Sequence, residues 1–289
     1  MAKKQLKELT IKDNFMFGAV MSDENNCKGL LEMILQIPIE RVEISKEKSI
    51  LYHPAYKGVR LDVFVKDDLG TRYDIEMQAV KKIAIGKRSR YYHSQMDMEL
   101  LKSGEEYSQL PNSFVIFICD FDPFEERKYC YTFQSTCQED KNIVLKDGRK
   151  SIFLSTRGEN DHEVSESLIK FLHYVRADLS ESEKDFQDEF VERLQESVKH
   201  VKDSREMEER FMLFQELLKE ERAEGRAEGR AEGRAEGLAE GRAEGRAEGA
   251  ENMKIQIAKN LLTVLNDEEI AEKTELALEV IKKLRKEAE

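Results

Sequence analysis

The stretch Tyr73–Gln78, "YDIEMQ", sets three oxygen-bearing side chains at alternate positions. On a β-strand Asp74, Glu76 and Gln78 share one face, and Tyr73, Ile75 and Met77 the other. Upstream lies "LDVFV", where Asp62 and Phe64 share a face and Leu61, Val63 and Val65 take the opposite one. An acid among β-branched and aromatic neighbours is costly to bury unless it is paired or holds a metal. Between the two stretches, "DDLG" at 67–70 has turn composition, so the strands fold antiparallel and bring Asp62 towards Glu76. Two carboxylates from adjacent strands make an oxygen-rich nest suited to Mg²⁺, which keeps several waters and takes few protein ligands. Such an ion activates water and screens the charge of a phosphodiester. The same column reads equally well as the wet face of a surface sheet, and spacing alone leaves both readings open.

The elements that must hold these residues are legible around them. Asn14–Gln36 reads as helix, with Asp13 as N-cap and an interruption near Ala19–Glu24. Three strands follow at Arg41–Ser49, Val59–Lys66 and Thr71–Ala79, then a helix from Lys87 to Ser103. "SFVIFICDF" at 113–121 is a continuous apolar run, as in a strand buried on both faces. Shorter strands are expected at Lys128–Gln134 and Ser151–Leu154. The order helix, three strands, helix, strand is that of a mixed α/β layer.

The net charge of −12 is unevenly placed: residues 1–155 are neutral, and the remainder carries all of it. An acidic average argues against a generic polyanion binder but leaves room for a local basic groove in the neutral half. Cys27, Cys119, Cys130 and Cys137 form no CxxC pair, and the five histidines have no zinc-ligand spacing. No apolar run approaches a membrane span, and no signal-like segment opens the chain. The expectation is a cytoplasmic protein with reduced thiols and no membrane partner.

From about Ser165 the pattern is helical to the end. Between Arg222 and Gly249 run seven "RAEG" tetrads, one with Leu238 in the Arg position. A four-residue repeat drifts by about 40° per repeat around a helix, so it builds no fixed apolar seam and no heptad coiled coil. Glycine in each turn costs roughly 1 kcal/mol relative to alanine, which makes a fraying helical spacer. Beyond it, Met253–Leu265 and Ala271–Leu284 read as short amphipathic helices with Lys282, Lys283, Arg285 and Lys286 on the second. They read either as a helix-turn-helix, with Glu275 where glycine is usual, or as a helical hairpin for docking or homo-oligomerisation.

Asp62 followed by Glu76-Met77-Gln78 on the next strand resembles the PD-(D/E)xK nuclease signature. The blocks "DNFMFGAVM", "GVRLDVFVKDDLGTRYDIEMQ", "KRSRYYHSQMD" and "GEEYSQLPNSFVIFICDFDPF", with the Gly/Glu/Arg-rich tail, resemble the Rpn family of recombination-promoting nucleases, also described as PD-(D/E)xK transposases. The resemblance covers essentially the whole chain. It implies an α/β restriction-endonuclease-like core (αβββαβ, a mixed sheet flanked by helices) with an α-helical C-terminal extension. The organisation it suggests is a nuclease domain at 1–180, a helical arm at 181–221, a spacer at 222–250 and a C-terminal module at 251–289.

The implied activity is Mg²⁺-dependent (or other divalent cation) endonucleolytic hydrolysis of DNA, linked to recombination or mobile elements. Asp62 and Glu76 would be the metal ligands, with Gln78 completing the catalytic set where the signature has Lys. A carboxamide is neither a base near neutral pH nor a cation. That departure supports an alternative, a catalytically weak nuclease-like scaffold binding DNA or a partner. Lys81, Lys82, Lys87, Arg88 and Arg90 are the expected phosphate contacts. Asp13 is a further candidate for the metal site, though N-capping explains it. Gln95 is a candidate for the cleft, Asp74 is expected at the rim, and Asp120 and Asp122 are expected to cap turns.

Overall fold

The computed structural model describes residues 4–50, 59–81, 83–101 and 104–288. It divides into two compact units, Met1–Phe214 and Gln215–Glu289. In the first, α1 (Asn14–Val20) and α2 (Glu24–Leu35) precede three strands, β1 (Val42–Ile50), β2 (Val59–Asp67) and β3 (Arg72–Gln78). The expected break in the first helical stretch is real: Asp23 accepts hydrogen bonds from the Asn25 and Asn26 N–H groups and restarts the chain as α2. Then come α3 (Ile85–Leu100), β4 (Ser113–Cys119), β5 (Cys130–Phe133), β6 (Arg149–Ser155), α4 (Glu166–Arg176) and α5 (Glu189–Asp203). The last two residues expected in the second helix, 102 and 103, lie outside the described residues.

The six strands form one sheet in the order β1-β2-β3-β4-β6-β5. β1, β2 and β3 pair antiparallel, β3, β4 and β6 parallel, and β5 antiparallel to β6. The β2–β3 turn closes with Gly70 N–H on the Asp67 carbonyl and a φ of 84° at Gly70, a conformation open to glycine at no steric cost. Asp67 locks it further, accepting from Thr71 N–H (2.8 Å) and the Tyr73 hydroxyl (2.8 Å).

Strand alternation divides the core in two. Val63, Val65, Tyr73, Ile75, Met77, Ile116, Ile118, Ile152 and Leu154 join one cluster with α1, α2, α4 and α5. Phe64, Val115, Phe117, Cys119 and Phe153 face the other way, onto Tyr92 and Met96 of α3. The "SFVIFIC" run is thus buried on both faces, as its unbroken hydrophobicity requires. Helix α5 presents Phe190, Val191, Leu194, Val198 and Val201 to the first cluster, and α6 (Arg205–Leu261) adds Phe211.

In the second unit the tetrads are helical, and their described side chains are exposed. A Cβ added at Gly229 or Gly233 meets nothing within 4 Å. Gly229→Ala and Gly233→Ala should each stabilise this helix by up to about 1 kcal/mol, read as raised helicity and a later melt in circular dichroism. Downstream, α7 (Asp267–Thr274) and α8 (Leu278–Ala288) close on α6 around Ala258, Leu262, Ile270 and Ile281. Arg285 caps the end of α6, donating to the Leu262 (2.6 Å) and Leu265 (2.9 Å) carbonyls and to Asp267. Glu275 takes the left-handed position of the α7–α8 turn with φ 55°.

Candidate active site

The last register pair of β2 and β3 is Val63 with Ile75, so one further step brings Asp62 beside Glu76. There the two acids interlock. The Asp62 N–H donates to Glu76 Oε1 (3.2 Å), and the Met77 N–H donates to Asp62 Oδ2 (3.3 Å). Asp62 Oδ2 also accepts from Asn14 Nδ2 (3.3 Å) at the start of α1. Glu76 is only 1% exposed and Gln78 5%. Arg88, in the first turn of α3, reaches back to β3 and donates from Nη2 to Glu76 Oε2 and from Nη1 to Gln78 Oε1 (2.6 Å). Its Nε donates to the Tyr92 hydroxyl (2.6 Å). The Gln78 carboxamide is pinned at its other end by Nε2 donating to the Val80 carbonyl (2.9 Å).

The column Asp74-Glu76-Gln78 therefore lies on the α3 face of the sheet, and that face is dry at these positions. Asp74 is not at a rim: it is 0% exposed, and neither carboxyl oxygen has a hydrogen-bond partner among the described residues. Burial first, then Glu76 and Asp62, push its pKa well above the ordinary carboxylate range. Glu76 is pushed up to about 8 by burial and then by Asp62, with Arg88 pulling in the other direction.

A carboxyl with a raised folded-state pKa stabilises the fold fully below its unfolded pKa of about 4, and that contribution is lost as pH rises through the folded value. Metal-free protein in EDTA should accordingly lose stability from about pH 5 to about pH 8. Asp74→Asn, which keeps the shape, should remove Asp74's share. The check is thermal unfolding across this range, with the variant gaining on the wild type as pH rises.

The other expected site residues scatter. Asp13 stands at the N-cap of α1 but makes no side-chain cap; its carboxylate accepts from Thr10 N–H (2.9 Å) and pairs with Lys4 (2.9 Å). The neighbouring Asn14 is the α1 residue that reaches Asp62. No spacing signal marks it, because the contact spans 48 residues. Among the expected phosphate contacts, Lys81 pairs with Glu125, Lys87 and Arg90 are exposed on α3, and Arg88 turns inward to Glu76. Lys82 lies outside the described residues.

Arg90 borders a recess of about 240 Å³ shared with His93, Ser135 and Arg149. His93 is buried between the Ser113 (2.9 Å) and Ser151 (3.2 Å) hydroxyls, and burial pushes it down to about 4, which keeps it neutral. Gln95 is buried on α3. Asp122 caps its turn through Phe124 and Arg127 N–H groups. Asp120 instead bonds Lys12 (3.1 Å), Thr156 (3.0 Å) and Arg157 (3.3 Å) at the ends of the parallel strands.

Asp62 and Glu76 are neighbours held by backbone N–H groups and carry the hard oxygen donors that a divalent cation takes, and the Arg88 guanidinium rests on Glu76 and Gln78. Among the described residues no three His, Cys, Asp or Glu side chains converge into a metal cage, so water would complete the shell.

A mixed sheet flanked by helices, with Asp on β2 and Glu-x-Gln on β3, defines an α/β fold of the PD-(D/E)xK type. The chain belongs to the PD-(D/E)XK nuclease family transposases, whose family model matches residues 11–222. No curated protein and no solved structure matches it. The family gives the chain a nuclease- or transposase-related role with DNA as the implied partner. No helix among the described residues is long and apolar enough to cross a membrane.

Proposed function

We propose that the first unit is a divalent-metal-dependent DNA endonuclease, acting in recombination or transposition, with Asp62 and Glu76 as metal ligands. The observation that carries the reading is the interlocking of these two acids through Asp62 N–H to Glu76 and Met77 N–H to Asp62. Mg²⁺ held by Asp62 and Glu76 would supply an activated water and neutralise charge on the phosphodiester. The chain's own groups do the rest. Asn14 and the Met77 N–H orient Asp62, and the Asp62 N–H orients Glu76. The exposed Lys87 and Arg90 of α3 offer charge to flanking phosphates. The expected products are 5′-phosphate and 3′-hydroxyl ends, as in the wider superfamily.

A second reading is a nuclease-like scaffold that binds DNA or a partner without efficient cutting. It is favoured by one observation: Gln78 replaces the lysine of the signature, and the outer oxygen of Glu76 already bears Arg88. Supercoiled plasmid decides between them. The endonuclease nicks or linearises it with Mg²⁺ and stops in EDTA. Cutting by the wild type no better than by the Asp62→Ala/Glu76→Ala double variant leaves the scaffold reading standing.

A further inference from the structure

The site lacks the lysine of the general signature, yet it does not lack a positive charge. The Arg88 guanidinium spends all three of its nitrogens inside the site, on Glu76 Oε2, Gln78 Oε1 and the Tyr92 hydroxyl. It lies 5.0 Å from the Tyr92 ring centroid and 5.4 Å from that of Phe117, so an aromatic floor holds it as well. Its side chain is 27% exposed, against 1% for Glu76, so it stands between the buried acid and solvent.

We propose that Arg88 is the catalytic cation that replaces the missing lysine. It is the resident counter-ion of Glu76 in the metal-free protein, and with a divalent cation on Glu76 its guanidinium would be free to pair with the scissile phosphate. The inference rests on the endonuclease reading above. Arg88 already rests on Glu76 Oε2, so a divalent cation approaching that oxygen meets like-charge repulsion from the guanidinium and competes with it. Once released, a planar guanidinium matches two phosphate oxygens at once, a match that an ammonium does not make.

Gln78 fits this scheme better than lysine would. Its oxygen accepts from Arg88, and its amide is fixed on the Val80 carbonyl, whereas an ammonium at position 78 would repel the guanidinium. Gln78 is therefore the acceptor that aims Arg88.

The experiment compares wild type, Arg88→Gln, Arg88→Lys, Gln78→Lys/Arg88→Gln and Asp62→Ala. Each is scored for Mn²⁺ affinity without DNA, by electron paramagnetic resonance, and for plasmid cleavage. Arg88→Gln should bind Mn²⁺ about tenfold or more tightly, because the like charge beside Glu76 is gone, and yet cut about a hundredfold or more slowly. Arg88→Lys, which keeps the charge, shows that the site still folds by retaining wild-type-like Mn²⁺ affinity. Gln78→Lys/Arg88→Gln, which moves the charge to the signature position, should regain cutting over Arg88→Gln. Unchanged or weaker Mn²⁺ binding in Arg88→Gln overturns the proposal, as does tighter binding with undiminished cutting. If that happens while Asp62→Ala still abolishes Mn²⁺ binding, the endonuclease reading survives alone. If Asp62→Ala leaves Mn²⁺ binding intact, both fall.

Discussion

Glu76→Gln is expected to lower plasmid cleavage by at least about a thousandfold while the protein remains folded. The substitution is isosteric, and it replaces a carboxyl that burial already pushes towards its neutral form. A neutral amide at this position therefore suits the 1%-exposed environment of the α3 face. Arg88 loses its ionic partner, but it is 27% exposed and keeps Gln78 and Tyr92, so the fold is spared an uncompensated buried charge. What the variant cannot do is donate a carboxylate to a cation. Metal assistance supplies several kcal/mol of transition-state stabilisation, and about 1.4 kcal/mol is tenfold in rate. Cleavage assays should show the loss, and thermal unfolding in EDTA at pH 8 should show a melting point no lower than the wild type's. Cutting within tenfold of the wild type would remove Glu76 from the chemistry.

Phe117→Ala should destabilise the first unit by about 3–5 kcal/mol, the usual cost of emptying a fully buried aromatic site. Phe117 is at the middle of the central strand β4 and is 0% exposed. It stacks on Phe153 with ring centroids 5.3 Å apart and lies 6.2 Å from Tyr92. Phe64, Tyr92, Met96 and Phe153 already fill the second cluster, with Phe121, Phe124 and Tyr131 packed against it, so the rings around the gap are held by one another. The same ring is part of the floor beneath Arg88, so cleavage should fall beyond what the lost folded fraction explains. Urea unfolding monitored on the isolated variant gives the first number, and cleavage per folded molecule gives the second. A loss below about 1 kcal/mol would mean that α3 settles into the space.

Much of this was written locally. The hairpin across 67–70 followed from "DDLG" between alternating strands, and its turn closes on Gly70 as that composition requires. The interruption near Ala19–Glu24 followed from the break in helical pattern, and Asp23 is the residue that makes it. Alternation in "YDIEMQ" correctly grouped Asp74, Glu76 and Gln78. It was silent on whether their face is wet, because a polar column has the same sequence whether water or a helix covers it. Asp74 shows the difference: expected at a rim, it is the most buried acid in the site. Arg88 shows it again. In a run with Lys81, Lys82, Lys87 and Arg90 it reads as one more phosphate contact, yet its place at the start of α3 turns it back onto β3.

By itself, then, the chain's order of residues determined the strand pair, the acids it carries and the turn that brings them together. These depend on the pleat and on φ/ψ preferences, which act between near neighbours. The packing of helices onto the sheet decided the rest: α3 makes the acidic column dry, raises the pKa of Asp74 and turns Arg88 inward, and α1 brings Asn14 to Asp62. Each of these depends on side chains distant in sequence sharing one small desolvated volume, where every charge must find a partner or give up its ionisation.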